Sequence, residues 1–157
     1  VRPENTNVRL LWTDGEECFG AYGDNDGLWG SKHAARKLKE SGVKVRAVVN
    51  LDMLGDRDLK ITIPSNSTES LAKIAKHAAR RIGEDDLVTF ASETVTDDHV
   101  PFLNAGFSAI DLIDFSYGEN NRYWHTAQDT VDKLSVESFR KSGALVAELI
   151  NLLFKLR

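Results

Sequence analysis

The sequence predicts an α/β fold with a largely parallel sheet, built as one domain. Three observations predict it. Short β-branched runs, of which residues 45–51 (VRAVVNL) are the strongest, alternate with stretches of helical periodicity. That strongest run is apolar on nearly every position, as a strand covered on both faces must be. Acidic residues and a histidine fall just after several of the predicted strands, where open α/β sheets carry their sites.

The elements follow in order. Residues 8–12 (VRLLW) suit a buried strand, and a loop rich in Gly and Asp follows over 13–27. Residues 28–41 read as a helix, with Leu28, Ala34, Ala35 and Leu38 on one face and Gly42 as its stop. Residues 45–51 and 59–63 are strands, the second ended by Pro64. Ser67 or Thr68 caps a helix reaching about Ile82, its buried side formed by Leu71, Ile74, Ala75 and Ala78. Residues 87–90 form a strand, 98–104 a helical turn or two ended by Gly106, and 108–113 another strand. A long loop over 115–130 carries Phe115, Tyr117, Tyr123, Trp124 and His125. Ser135 caps a last helix whose core face is Val136, Phe139, Leu145, Leu149, Leu152 and Leu153.

Composition narrows the function classes. The chain has 157 residues and a formal net charge of -4, ordinary for a globular domain with its own core. No basic stripe offers the counter-charge that nucleic acid requires, so no nucleic-acid partner is expected. No apolar run is long enough to span a bilayer. Cys18 is the single cysteine, so an internal disulfide is impossible.

Four motifs carry chemistry. Asp14-Gly15-Glu16-Glu17 sets two adjacent carboxylates on a turn, where they repel one another unless a cation intervenes. Zinc would take one as a ligand and leave the other beside it as a general base; the plainer alternative is a solvated acidic turn. Asp52 ends the strongest strand and is carried to the site edge, or merely forms a turn. His125 follows Trp124 in an aromatic loop, where a neutral imidazole can ligate metal and an indole can wall a pocket. Asp97-Asp98-His99 is either an orienting acidic pair or an N-cap cluster. His33 and His77, inside predicted helices, are read as structural or surface residues.

In this order, Asp-Gly-Glu-Glu (14–17), Leu-Trp-Gly-Ser (28–31), Asn-Leu-Asp-Met-Leu-Gly (50–55), Asp-His-Val-Pro-Phe (98–102) and Trp-His-Thr-Ala-Gln-Asp-Thr (124–130) resemble the zinc aminopeptidase and glutaminyl cyclase superfamily. The resemblance runs from Val8 to the C-terminus. It implies a three-layer sandwich with a mostly parallel central sheet and helices on both faces. It also implies that residues 1–157 are a single catalytic domain forming the C-terminal portion of a longer one, its N-terminal part missing. The loop over 18–27 before Leu-Trp-Gly-Ser-Lys-His, the Asp97-Asp98 doublet and Trp124 before His125 resemble the animal-type glutaminyl cyclases and their bacterial relatives.

The resemblance assigns roles. Glu17 and His125 would ligate zinc and Glu16 would be general base and acid. Asp52 would hydrogen-bond near Glu16 in a one-zinc cyclase, or hold a second metal in a two-zinc aminopeptidase. Asp97 would orient Glu16 from behind, and Trp124 would line the substrate pocket. Tyr22 stands where the cyclases carry a loop Trp, and Asp111 where the animal enzymes carry a histidine in a strand. The implied reaction is cyclisation of the N-terminal glutamine of a peptide or protein, with one zinc ion favoured. The alternatives are a two-zinc aminopeptidase and an inactive binding module. Such enzymes are commonly secreted or periplasmic. The chain supplies only Glu17 and His125 to the metal, so further ligands are expected from an upstream segment. Taken alone, the chain is predicted to bind zinc weakly or not at all.

Overall fold

The structure, a computed structural model, describes residues 7–156. The elements are α1 (Trp29–Ser41), β1 (Val48–Asp52), β2 (Ile61–Ile63), α2 (Glu69–Arg81), β3 (Val88–Phe90), α3 (His99–Asn104), β4 (Ala109–Ile113) and α4 (Val136–Lys155). The strands lie in the order β1-β4-β2-β3. β1 runs parallel to β4 and β2 parallel to β3; the two pairs meet at one antiparallel seam, Thr62 opposite Ile113. The sheet is therefore mostly parallel, as predicted.

Side chains alternate across a strand, so each strand feeds two layers. Val49, Ile110 and Leu112 face one way, joining Ile61, Ile63 and Val88 beneath α2 and α4. Val48 and Ala109 face the other way, against Ala34, Ala35 and Leu38 of α1 and Phe102 and Leu103 of α3. Every residue of β4 is buried, as a strand covered on both faces requires. On α4, Leu145, Leu149 and Leu153 recur at four-residue spacing and are buried. Burial of each such leucine contributes about 1.5–3 kcal/mol. Gly42 adopts φ 64 and closes α1 through a hydrogen bond to the Lys39 carbonyl, the predicted stop.

Three expectations are corrected. Residues 8–12 are not a strand: Leu10 is 69% and Trp12 85% exposed. A strand needs a neighbour's backbone groups, and among the described residues β1 has no ladder on its outer edge. An apolar run cannot replace that pairing. Next, neither Ser67 nor Thr68 caps α2 with its side chain. Their hydroxyls instead accept hydrogen bonds from the backbone N–H of Asp111 (3.1 Å) and Ala109 (3.0 Å), tying the helix start to β4. Finally, Val136 and Phe139 are exposed, although Ser138 in the same turn is buried. Ser135 does cap that helix, accepting from Ser138 N–H.

Candidate active site

The acidic loop is held by the N-terminus of α1. A helix start leaves backbone N–H groups without intrahelical partners. Here Leu28, Trp29 and Gly30 donate to the carbonyls of Glu16 (2.8 Å), Gly15 (3.0 Å) and Asp14 (2.9 Å). Gly30 permits the approach, since a Cβ there would lie 2.6 Å from the Asp14 nitrogen. The outer part of the loop folds over Asp26, whose carboxylate accepts from Phe19 N–H (2.9 Å) and Gly20 N–H (2.8 Å). Lys32 on α1 donates to the Gly27 carbonyl at 2.6 Å and fixes the loop from below. Tyr22 is thereby placed with its hydroxyl donating to Glu16 Oε1 at 2.7 Å.

The histidine loop approaches from the far side of the cleft. Its base is set by buried Asp114, which accepts from Lys60 N–H (2.8 Å) and Ser116 N–H (3.1 Å). Tyr117 is buried and donates to Asp129 at 2.6 Å, closing the loop on itself. His125 stacks on Trp124 with ring centroids 4.0 Å apart, and Phe115 packs against Trp124 at 5.1 Å with its ring tilted by 54°. His125 has φ 54, a left-handed conformation that costs a β-carbon residue about 1–2 kcal/mol. Its Nε2 lies 2.7 Å from Glu17 Oε1. The loop thus brings together the two residues expected to share a metal.

Between the loops lie the strand-end acids. Asp52 is carried on β1; Asp97 and Asp98 immediately precede α3; Asp111 sits in β4 directly opposite Asn50. Burial, then the charges of Asp97 and Glu16, raises the Asp52 carboxyl to about 7. Burial, then Asp97, raises Asp111 to about 8, against a hydrogen bond from Asn50 that favours its anion. Glu16 and Asp97 are also raised, chiefly by burial. Burial holds the His99 imidazole down at about 4, so this ring is neutral at physiological pH. The carboxyls therefore bind protons more readily folded than unfolded.

The sign of the pH effect follows. An unfolded aspartate releases its proton near pH 4, whereas folded Asp111 keeps its own up to about pH 8. Between those values unfolding releases a proton, so Asp111 favours the folded state progressively less as pH rises. Asp52 acts in the same direction up to about pH 7. Asp111→Asn, which cannot ionise, is expected to flatten that slope, giving about 2–4 kcal/mol relative to the parent protein between pH 5 and pH 8.5. Urea titrations at the two pH values measure this, and an unchanged slope would place the proton elsewhere.

All seven residues singled out from the sequence, Glu16, Glu17, Tyr22, Asp52, Asp97, Trp124 and His125, line one cleft of about 870 Å³. Asp52 makes no direct hydrogen bond with Glu16 among the described residues, although it lies near enough to feel its charge. Phe139, expected in the core, lines the cleft beside Gly55, at which a Cβ would meet its ring at 2.6 Å. Asn50, in the 50–55 motif, shares a strand face with Asp52 two residues on and donates to Asp111 Oδ1 at 3.0 Å. His33 and His77 are exposed, as read. Glu17 and His125 suit zinc by donor type and convergence, but zinc sites use three or four protein ligands. Among the described residues no group of three His, Cys, Asp or Glu is arranged to hold a metal. The fit is thus to part of a zinc site.

Comparison with known proteins agrees with this composition. The aminopeptidase YwaD of Bacillus subtilis (strain 168) is 31% identical over 155 residues, covering 91% of this chain and 33% of that protein. A glutaminyl-peptide cyclotransferase of Dictyostelium discoideum is 25% identical over 170 residues, covering 90% of this chain and 46% of its own length. The crystal structure of a glutaminyl cyclase from an Acidobacteriales bacterium matches with a TM-score of 0.85 and 37% identity, over 92% of this chain and 52% of that one. The chain spans about half the length of the cyclases it matches, and less of the aminopeptidase. The model of peptidase family M28 matches residues 1–150, nearly the whole chain, so the protein belongs to peptidase family M28.

Proposed function

We propose that this chain is the larger part of the active site of a zinc-dependent glutaminyl cyclase, a single α/β domain acting on the N-terminal glutamine of peptides or proteins. The observation that carries the reading is the convergence of Glu17 and His125, 2.7 Å apart, beside a Glu16 held by Tyr22. The TM-score of 0.85 to a bacterial glutaminyl cyclase supports this chemistry over others in the family. Glu17 and His125 would hold one zinc ion, with further protein groups completing its ligands. When bound, zinc would supply a Lewis acid for the side-chain carboxamide.

The chain's own residues do the rest. Glu16 takes a proton from the substrate's α-amine, whose nitrogen then bonds to the carboxamide carbon. The carbon–nitrogen bond of the carboxamide breaks, and Glu16 returns the proton to the departing ammonia. The product is a pyroglutamyl peptide. Nucleophile and electrophile belong to one residue, so the pocket's task is to fix conformation. Trp124, backed by Phe115 and His125, provides a flat wall for the glutamyl chain. Tyr22 closes the opposite side, and Asp52 and Asp97 set the field around Glu16.

The second reading is a two-zinc aminopeptidase, favoured by the 31% identity to YwaD, in which Asp52 becomes a ligand. The complete protein, loaded with zinc, should release ammonia from a glutamine-initiated peptide and no free amino acid, with one metal per chain. Release of free amino acids with two metals per chain would establish the peptidase instead. No helix among the described residues is long and apolar enough to cross a membrane. A secreted or periplasmic setting is proposed with the cyclase reading.

A further inference from the structure

One edge of the sheet continues into the cleft. β3 is the last strand in the order β1-β4-β2-β3, and among the described residues it pairs on one side only, with β2. That pairing outlasts the strand. Ala91 N–H donates to the Ile63 carbonyl at 3.0 Å, and the Glu93 carbonyl accepts from Ser65 N–H at 2.9 Å. Asn66 then holds Val95 twice: its Nδ2 donates to the Val95 carbonyl at 2.8 Å, and its Oδ1 accepts from Val95 N–H at 3.2 Å. One side-chain amide reaches both groups of one residue only where they point the same way, as they do in extended backbone. Residues 91, 93 and 95 are thus pinned along one edge, at the two-residue period of a strand.

The backbone groups of Thr94 and Thr96 point the opposite way. Among the described residues none of them has a hydrogen-bond partner, and both threonines are exposed. Residues 93–97 line the cleft with Glu16 and Glu17, whereas Ser65 and Asn66 do not. The free edge therefore faces the cleft, and it ends at Asp97, beside the catalytic carboxylates. A row of unpaired N–H and C=O groups is a template for another extended chain. We propose that the substrate residues after the first lie along 94–96 as an added strand. The first residue sits at the Asp97 end, so the peptide leaves towards Thr94 and runs antiparallel to the segment. The substrate class is then an extended N-terminus several residues long, gripped through its backbone and not through its side chains. The alternative is a wall that only closes the cleft. The proposal rests on the reading that the cleft takes a peptide N-terminus, which cyclase and aminopeptidase share.

Two substrates of the complete, zinc-loaded protein separate these: Gln-Ala-Ala-Ala amide, and glutamine α-methylamide, which is too short to reach Thr94. Thr96→Pro removes one backbone donor, and Val95 before it already has the extended backbone that a following proline requires. The ratio of kcat/KM for the long substrate to that for the short one should fall about 2–10-fold, the worth of one net hydrogen bond. Successive N–H groups of an added strand alternate between bonded and outward positions. On the parent protein, N-methylation of the tetrapeptide at its second or its third residue, but not at both sites alike, should therefore cost a similar factor. An unchanged ratio in Thr96→Pro, or equal rates for the two N-methyl peptides, overturns the added strand. If the proline distorts the wall and lowers both substrates alike, the N-methyl pair decides, because it needs no variant. Should the parent release neither ammonia nor free amino acid, the functional reading fails by itself. Calorimetric binding of the same two N-methyl peptides then decides the strand: unequal affinities support it, and equal affinities or no binding overturn it.

Discussion

Glu16→Gln in the complete protein is expected to lower kcat for ammonia release by about 10²–10⁴-fold, the range for loss of a general acid–base. KM and zinc content should stay near their parent values. The substitution is nearly isosteric, and the loop that carries it is held by backbone bonds from Leu28, Trp29 and Gly30. A glutamine oxygen can still accept from the Tyr22 hydroxyl, which reaches Glu16 at 2.7 Å. What disappears is the capacity to take a proton from an amine and hand it to ammonia. Burial and the charges of Glu17, Asp97 and Asp98 raise the proton affinity of Glu16, while Tyr22 opposes them. That balance leaves the carboxyl more readily protonated than a free glutamate, which helps it hold the proton between its two transfers. A variant that retains kcat within a few-fold would remove Glu16 from proton transfer and leave Asp52, raised to about 7, as the next candidate base.

Much of this geometry was legible in the residues, and the reasons differ by element. β4 is buried on both faces, and its short apolar run announced it. β1 is a strand as its β-branched run predicts, but it lies at the sheet edge among the described residues, half-buried and with Leu51 exposed, and not at the centre as that run suggested. Gly42 and Ser135 could be read because caps are local chemistry. Residues 8–12 could not, since the same apolarity serves a strand only where a partner offers its backbone. Thr68 shows the complementary failure: its hydroxyl is suited to a cap, but β4 competes for it through Ala109 N–H. Phe139 lies on the apolar face of α4, but helical periodicity does not say whether that face meets the core or a cleft at a given turn. At the site, the five motifs gave the residues but no distances. The meeting of Glu17 with His125 depends on a loop whose course is set by Asp114 and Tyr117, neither of which any motif includes.

That meeting point supplies the other large effect. His125→Gly in the complete protein is expected to weaken zinc binding by more than about 100-fold, since even partners that only orient a ligand cost 10–100-fold. Turnover should fall with the metal. Loss of a histidine often means loss of fold, but the backbone here argues otherwise. His125 occupies φ 54, which glycine adopts without penalty and which asparagine tolerates better than most residues. Against the relief of about 1–2 kcal/mol stands the lost stacking on Trp124, at 4.0 Å, which contributes about 0.5–1.5 kcal/mol. The two nearly cancel, and the His125 side chain and its Glu17 partner are each at least half exposed, so the metal-free thermal midpoint should move little. His125→Asn should behave alike, keeping the conformation and losing the imidazole. A thermal scan without zinc, beside a competitive zinc titration, therefore separates ligation from folding in one pair of variants. If both variants keep parent zinc affinity, the imidazole is no ligand, and its contact with Glu17 is only a surface ion pair, worth at most about 1 kcal/mol. If instead affinity falls while the midpoint holds, the strained φ at position 125 is explained: the loop accepts an unfavourable backbone to aim one ring nitrogen at the carboxylate across the cleft.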